Sequence, residues 1–196
     1  MLTKPTLLLE ATNFNEVPFP HFSSERILKD DLARDLLEWL KATSLWHYTE
    51  TNFYTQYEFS LLDLGLPPQL KSLSDQKFIQ HLKQHFYSMF KTDRLELVGI
   101  TVHKLVDGYK MGVHNDFIGK EESHRLVVQL NDGWTEVNGG YLMLFNSMNV
   151  NDLAKLIKPL HNTGIGFEIS NASYHAVSTV HDFERYTLVY TFSERL

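Results

Sequence analysis

Cysteine is absent from the 196 residues of the chain. This absence excludes disulfides, thiolate-ligated zinc, cysteine-held iron-sulfur clusters and a cysteine nucleophile, so any metal must be bound mainly through nitrogen and oxygen. Basic residues are also few, because 18 Lys and Arg stand against 24 Asp and Glu and give a formal net charge of -6. Nucleic acid is therefore a disfavoured partner, since binding to a phosphate backbone depends on a basic field that releases counterions.

Long hydrophobic runs are absent as well. The apolar run Leu7, Leu8, Leu9 is far shorter than a signal-peptide core or a membrane span, and no later run approaches the required length. With 43% hydrophobic and 21% charged residues, the composition is that of an ordinary globular domain. We therefore expect a cytoplasmic protein without a membrane partner, folded as a single domain over residues 1–196.

Two amphipathic helices are predicted in the first half of the chain. Apolar residues recur mostly at three- and four-residue steps between Ser24 and Thr43, and again from Ser74, a plausible N-cap, to about Lys91. The segment between the two helices is predicted to be irregular or short strand. Residues 1–94 are therefore expected to form a helical and irregular support.

From Leu95 onward, short runs rich in Val, Leu, Ile, Thr and aromatic residues are bounded by Gly, Asn and Asp, which is typical of strands. The predicted strands are 95–106, 109–114, 124–131, 140–146, 155–161, 164–169, 174–180 and 185–192. This spacing, without a helical pattern between the strands, favours two packed antiparallel sheets. The fold class is predicted to be mainly β: a double-stranded β-helix (jelly roll) over residues 95–193, with the two N-terminal helices packed on one sheet.

Two side chains that commonly bind metals stand near the end of a predicted strand. His114 and Asp116 share one face of that strand, because side chains alternate along it. His175 opens a later strand, and two imidazoles with one carboxylate form the facial arrangement that leaves open positions on non-haem iron(II). A His-x-Asp triplet also arises by chance in a chain with ten histidines. The other histidines are interpreted as surface or packing residues: His21, His47, His81, His85, His103, His124, His161 and His181.

Further motifs follow this triplet in a fixed order. They are Leu130-Asn131 with Trp134, Gly139-Gly140, His175-Ala176-Val177 and Arg185-Tyr186-Thr187. With these motifs, the segment from Leu95 to Phe192 resembles the iron(II)/2-oxoglutarate oxygenase superfamily, in particular its prolyl 4-hydroxylase-like branch. The cofactors that the resemblance implies are Fe(II), the cosubstrate 2-oxoglutarate and O2.

The resemblance also implies roles for individual residues. Iron would be bound by His114, Asp116 and His175, and the distal carboxylate of 2-oxoglutarate by Arg185 and Thr187. An arginine suits this task because its planar guanidinium pairs with a carboxylate through two charge-assisted hydrogen bonds. Positions 185 and 187 share a strand face, so the hydroxyl can add a bond to the same anion.

Two alternatives stay open at the cosubstrate end. Arg185 could instead form a surface ion pair with Asp182 or Glu184. Gln129 stands where many relatives carry a tyrosine that contacts the cosubstrate. Its amide either donates to the carboxylate or belongs to an ordinary polar strand residue, and the sequence does not favour one over the other.

The resulting hypothesis is a 2-oxoglutarate-dependent dioxygenase that hydroxylates a carbon of an amino acid, peptide or small metabolite, with release of succinate and CO2. Halogenating relatives lack the carboxylate ligand, so Asp116 favours hydroxylation. Candidate substrate contacts lie in loops or strand edges around the expected barrel mouth. They are Tyr54, Gln56, Tyr57, Asn115 and Trp134.

Two other functions remain as alternatives. A non-catalytic cupin-like metal or small-ligand binding protein would share the jelly roll and the histidines, but it would not need an arginine beside Thr187. A nucleic-acid demethylase of the same superfamily would need a basic groove and a pocket for an extruded base, which the net charge of -6 disfavours.

Overall fold

The structure, a computed structural model, describes residues 6–62, 64–119 and 121–195. Strands dominate these residues, and helices are few. The α-helices are α1 (Asp30–Ala42) and α2 (Gln76–Phe90), and short 3-10 helices cover Pro68–Ser74 and Glu136–Asn138. The strands are β1 (Leu7–Glu10), β2 (Asn13–Asn15), β3 (His21–Ser24), β4 (Arg26–Leu28), β5 (His47–Glu50), β6 (Thr55–Ser60), β7 (Leu95–Leu105), β8 (Met111–His114), β9 (His124–Gln129), β10 (Leu142–Phe145), β11 (Leu153–Ile157), β12 (Gly164–Glu168), β13 (His175–Val177) and β14 (Arg185–Glu194).

Two antiparallel sheets form the body of the fold. The large sheet has the strand order β2-β3-β12-β9-β14-β7-β6-β5, and the small sheet has the order β11-β10-β13-β8. A further two-stranded sheet joins β1 to β4. The prediction of a mainly β, jelly-roll-like fold with few helices is confirmed, and each of the eight predicted strands overlaps an observed strand, although the ends differ by several residues.

The first half of the chain departs from its predicted structure. The helix predicted from Ser24 begins only at Asp30, because the preceding residues form strands and β3 pairs with β12 of the large sheet. Long-range pairing here overrides the helical pattern. The second helix is capped by Asp75 rather than Ser74, since the Asp75 carboxylate accepts a hydrogen bond from the backbone N–H of Lys77 at 2.9 Å.

The segment between the helices is also more regular than predicted. Strands β5 and β6 form an antiparallel hairpin, and β6 pairs in turn with β7 at the edge of the large sheet. At its tip, the N–H of Gly112 donates to the carbonyl of Phe53 at 2.7 Å, which ties the hairpin to the small sheet. One hairpin therefore reaches from the large sheet to the strand that ends at His114.

The two faces of the large sheet differ in chemistry. The helices cover one face, where Phe78 of α2 stacks on Tyr190 with ring centroids 5.6 Å apart and Phe86 packs on Phe192 at 5.4 Å. Leu188 belongs to the same apolar cluster and is fully buried. The alternate side chains of these strands face a cavity instead. Within the described residues, no helix is long and apolar enough to cross a membrane.

Candidate active site

The three predicted metal ligands meet at one point of the small sheet. His175 of β13 stands directly opposite His114 of β8 in the antiparallel register, and their rings are 4.2 Å apart. Asp116 follows β8, and its carboxylate oxygens lie 3.3 Å from Nε2 of His114 and 3.2 Å from Nε2 of His175. The three potential ligand atoms, one from each residue, all lie within 4.8 Å of one another. The geometry therefore brings together two imidazole nitrogens and one carboxylate.

Both histidines are held in the orientation that a metal requires. Nδ1 of His114 lies 2.9 Å from the carbonyl of Gly112, and Nδ1 of His175 lies 2.8 Å from the carbonyl of Ser173. A carbonyl can only accept, so each Nδ1 carries the proton and each Nε2 keeps its lone pair toward Asp116. Burial lowers the pKa of His175, which favours the neutral, ligating form.

Asp116 is fixed by its backbone and by a neighbouring cation. Its φ of 59° lies in the left-handed region, which aspartate tolerates better than most residues. Arg125 of β9 donates one guanidinium N–H to Asp116 and another to Glu122. Burial alone would raise the pKa of Asp116, but the positive charge of Arg125 holds that pKa well below its usual value. The carboxylate is thus ionised and ready to bind a cation.

A cavity of about 670 Å³ connects this cluster to the inner face of the large sheet. Its walls come from β5, β6, β7, β9 and β14 on one side and from β8, β10 and β13 on the other. Among the lining residues are Tyr54, Gln56, Glu58, His103, His114, Asp116, Glu122, Arg125, His175, Arg185 and Thr187. The volume lies in the range typical of small-molecule sites.

Arg185 is buried at the sheet side of this cavity with only 3% of its surface exposed. Its Nε donates to the carbonyl of Gly140 at 2.9 Å, and one Nη donates to Oε1 of Gln129 at 3.0 Å. Within the described chain it has no carboxylate within 4.0 Å, and the alternative ion pair with Asp182 or Glu184 does not form. Burial lowers the pKa of Arg185 to about 10, so the group is still a cation at neutral pH. A buried cation without an anion is costly, and a ligand carboxylate would remove that cost.

The Gly-Gly motif has a direct structural explanation. Gly140 has φ 66°, and a Cβ built there would lie 2.9 Å from Cδ of Arg185. A Cβ at Gly139 would lie 2.1 Å from the carbonyl of Thr179. The backbone can therefore approach the arginine and accept its Nε–H only because position 140 lacks a side chain.

Gln129 and Thr187 lie beside the arginine. They are direct cross-strand partners on β9 and β14, and both are buried. Oε1 of Gln129 accepts from Arg185, whereas its Nε2 is buried without a hydrogen-bond partner. A buried donor without an acceptor costs about 1–3 kcal/mol, so this amide points to an acceptor that a ligand would supply.

The other motif residues stabilise the backbone around Arg185 through hydrogen bonds. Asn131 is buried, donates to the carbonyl of Pro159 at 2.9 Å and accepts from the N–H of Tyr186 at 2.7 Å, which fixes the start of β14. Trp134 donates its indole N–H to the carbonyl of Gly139 at 2.8 Å. Both hold the turn and strand that present Arg185.

The candidate substrate contacts separate into two groups. Tyr54 and Gln56 line the cavity. Tyr57, Asn115 and Trp134 are not among its lining residues. Tyr57 stacks on Tyr109 instead, and Asn115 donates to the carbonyl of Asn171.

Sequence reasoning missed several cavity residues, among them Glu58, His103 and Arg125. His103 was assigned to the surface or to ordinary packing, yet it lines the cavity wall between Glu58 and Thr187. A signal was present in the alternation of polar and apolar residues along β6 and along the end of β7. That alternation gives a polar face, but only the long-range pairing shows that this face is enclosed.

Comparisons with known proteins agree with this geometry. A family model described as the 2OG-Fe(II) oxygenase superfamily matches residues 100–193, which include the histidine and aspartate cluster and Arg185. No curated protein sequence matches the chain significantly.

Solved structures share its fold at low sequence identity. A prolyl-4-hydroxylase from Pseudomonas putida is 18% identical, with a TM-score of 0.72 over 90% of this chain and 93% of that chain. The viral collagen prolyl hydroxylase vCPH from Paramecium Bursaria Chlorella virus-1, in its 2OG complex, is 14% identical, with a TM-score of 0.67 over 89% of this chain and 96% of that chain. An oxidoreductase of the 2OG-Fe(II) oxygenase family from Burkholderia pseudomallei is 20% identical, with a TM-score of 0.62 over 83% and 79%.

Proposed function

The chain belongs to the 2OG-Fe(II) oxygenase superfamily, and we propose that it is a dioxygenase that hydroxylates a carbon of an amino acid, peptide or small metabolite. The cofactors of this superfamily are Fe(II), 2-oxoglutarate and O2. Iron with 2-oxoglutarate supplies the oxygen-activating chemistry, in which the cosubstrate becomes succinate and CO2 and one oxygen atom enters the substrate. In this proposal the two facing sheets form the double-stranded β-helix, with residues 95–193 as its core and residues 1–94 as its support.

His114, Asp116 and His175 are the proposed iron ligands. Support comes from their donor set, since two neutral imidazoles and one carboxylate on a shared face suit non-haem iron(II) and leave positions open. The carbonyls that accept from both Nδ1 atoms fix the ligating tautomer before any metal arrives. Arg125 in turn orients the carboxylate.

Arg185, Thr187 and Gln129 are the proposed site for the distal carboxylate of 2-oxoglutarate. The single observation that carries the proposal concerns Arg185. This buried cation faces the same cavity as the proposed iron ligands, and it has no carboxylate partner in the described chain. The orphaned amide of Gln129 supplies a second donor, which favours its role in cosubstrate binding. A cupin-like binding protein would have no use for this cation.

Spectroscopy and product analysis test the proposal together. Anaerobic addition of Fe(II) and 2-oxoglutarate is expected to give the weak visible charge-transfer band of a chelated cosubstrate. Admission of air is expected to convert 2-oxoglutarate to succinate. Absence of both signals would overturn the proposal. The matched variants are His175→Ala, which should lose both signals, and His81→Ala on the exposed face of α2, which should keep them.

A substrate screen then addresses the reaction. Amino acids and short peptides are incubated with the loaded protein, and mass spectrometry detects the gain of one oxygen atom alongside succinate. Proline-containing peptides belong in the screen, because structures of similar fold are prolyl hydroxylases. Product without succinate would contradict coupling to 2-oxoglutarate.

A further inference from the structure

The carboxylates that line the cavity differ in how their charges are balanced. Asp116 and Glu122 both accept from Arg125. Glu58 is the other cavity-lining carboxylate in the described part of the chain, and no lysine or arginine lies within 4.0 Å of it there. Its side chain is only 27% exposed. A negative charge therefore remains uncompensated on the β6 wall.

The neighbours of Glu58 hold its carboxylate without neutralising it. Thr49 donates its hydroxyl to Oε1 at 2.8 Å, and Gln56 donates its amide to Oε2 at 2.6 Å. His103 lies 3.7 Å away, but burial lowers the pKa of its imidazole to about 4, so it is neutral at physiological pH. The carboxylate is thus positioned by neutral groups on three sides.

A second acceptor lies beside this carboxylate. Gln56 is 2% exposed and lines the cavity, and its Oε1 has no hydrogen-bond partner. A carboxylate without a balancing cation and an amide oxygen without a donor therefore share one wall of the cavity. Such a pair suits a group that carries several N–H donors and a positive charge.

The strand register places this wall in one row with the proposed cosubstrate site. Glu58 pairs with His103, His103 pairs with Thr187, and these residues form one row across β6, β7 and β14. Two inter-strand spacings separate the first and last backbones, or about 10 Å. Tyr54, Glu58 and Asp116 line the same cavity, so the acidic wall faces the same space as the cluster of two histidines and one aspartate.

From these observations we propose that the substrate carries a cationic nitrogen group, an ammonium or a guanidinium, which binds to Glu58 and Gln56. This inference rests on the proposed function. Arg185 takes the anionic cosubstrate on one side of the cavity, and Glu58 takes the cation of the substrate on another. The acidic wall and the proposed iron ligands line the same cavity, so a cation bound to Glu58 would hold the rest of the substrate in the space that these ligands face.

The test measures binding by calorimetry to protein loaded anaerobically with Fe(II) and 2-oxoglutarate. The ligands are lysine, its Nα-acetyl and Nε-acetyl forms, and the doubly acetylated form, with arginine and citrulline as a second matched pair. We expect the doubly acetylated lysine to bind at least about tenfold more weakly than the best cationic form, which is the effect of losing one charge-assisted hydrogen bond. The singly acetylated forms identify which ammonium is bound.

Two variants separate recognition from other effects of charge. Glu58→Gln should abolish the preference for cationic ligands while keeping the charge-transfer band. Glu50→Gln makes the same charge change at an exposed position of the same hairpin and should keep the preference. Equal binding of all ligands, binding of none, or a preference that survives in Glu58→Gln would overturn the inference. A missing charge-transfer band in the unmodified protein would instead refute the proposed function itself.

Discussion

The two faces of β14 are equally buried but serve different purposes. Tyr186, Leu188 and Tyr190 point toward the helices and join the apolar cluster, where packing excludes water. Arg185 and Thr187 alternate with them and line the cavity. The same strand thus supports the fold through one face and the candidate chemistry through the other.

The two faces differ in whether their buried polar groups are paired. On the helix face of β14, the polar side-chain groups are paired, since the hydroxyl of Tyr186 donates to Glu184 and that of Tyr190 donates to the carbonyl of Leu73. On the cavity face, a buried guanidinium and a buried amide lack their complements. Unmet polar groups are expensive, so the unpaired cation and amide on the cavity face support the proposal that a ligand binds there.

The largest expected effect comes from removing the carboxylate of Asp116, one of the three proposed iron ligands. Asp116→Ala should lower 2-oxoglutarate turnover by more than about a hundredfold, because even residues that only orient metal ligands typically contribute ten- to a hundredfold. Succinate formation measures the loss, and circular dichroism checks the fold. Asp116→Asn, which keeps the shape and tolerates positive φ, should show a comparable loss. Full turnover in both variants would remove Asp116 from the ligand set.

Adjacent residues on the two faces should respond in opposite ways. Leu188→Ala is expected to lower the free energy of unfolding by about 2–5 kcal/mol, since it leaves a hole in a closed apolar cluster. Thr187→Val should change that free energy far less and should instead weaken 2-oxoglutarate binding. Urea unfolding and cosubstrate titration of both variants measure the contrast. Equal destabilisation by the two changes would contradict the inference that one face stabilises the fold and the other binds the cosubstrate.

Arg185→Ala should raise the 2-oxoglutarate concentration needed for half-maximal turnover by about tenfold to a hundredfold, the effect of losing charge-assisted hydrogen bonds. Arg185→Lys should give an intermediate value, because an ammonium keeps the charge without the planar fork. The matched control is Arg94→Ala, at an exposed position before β7. An unchanged requirement in Arg185→Ala would place the cosubstrate elsewhere.

The smallest expected effect is a pH dependence from the helix face. His124 packs against Phe86 and Phe90, and burial lowers the pKa of its imidazole to about 4. The unfolded chain binds the proton more tightly, so the stabilisation is present above about pH 6.5 and is lost as pH falls toward 4. Between pH 7 and pH 5 this loss should be about 2 kcal/mol.

Chemical unfolding across that range measures the slope. His124→Gln should reduce the pH dependence by this amount, whereas His81→Gln at an exposed position should leave it unchanged. A slope that is the same in both variants would rule out His124 as its source.

The part of the site that could be predicted is the part encoded over short distances. His114 and Asp116 share a face by simple alternation, as do Arg185 and Thr187. The order of the motifs along the chain then indicated the family and, with it, the role of each residue. The assignment of these residues to iron and to the cosubstrate is still a prediction, which the geometry supports.

The part that could not be predicted depends on which strands become neighbours. Glu58 reaches the cavity because the β5-β6 hairpin joins the edge of the large sheet, and the alternation along β6 does not show which strand it pairs with. Arg125 meets Asp116 across a loop that follows β8. The same cause explains the error at Ser24, where pairing between β3 and β12 extends into a region that has a helical pattern.

The backbone at Asp116 has an evolutionary consequence. With φ at 59°, this residue occupies a conformation in which glycine is more comfortable than any residue with a side chain. A single change to glycine would remove the carboxylate and relieve local strain in the same step. In the proposed iron site, one of the three protein ligands could therefore be lost by a single mutation that meets no conformational barrier at residue 116.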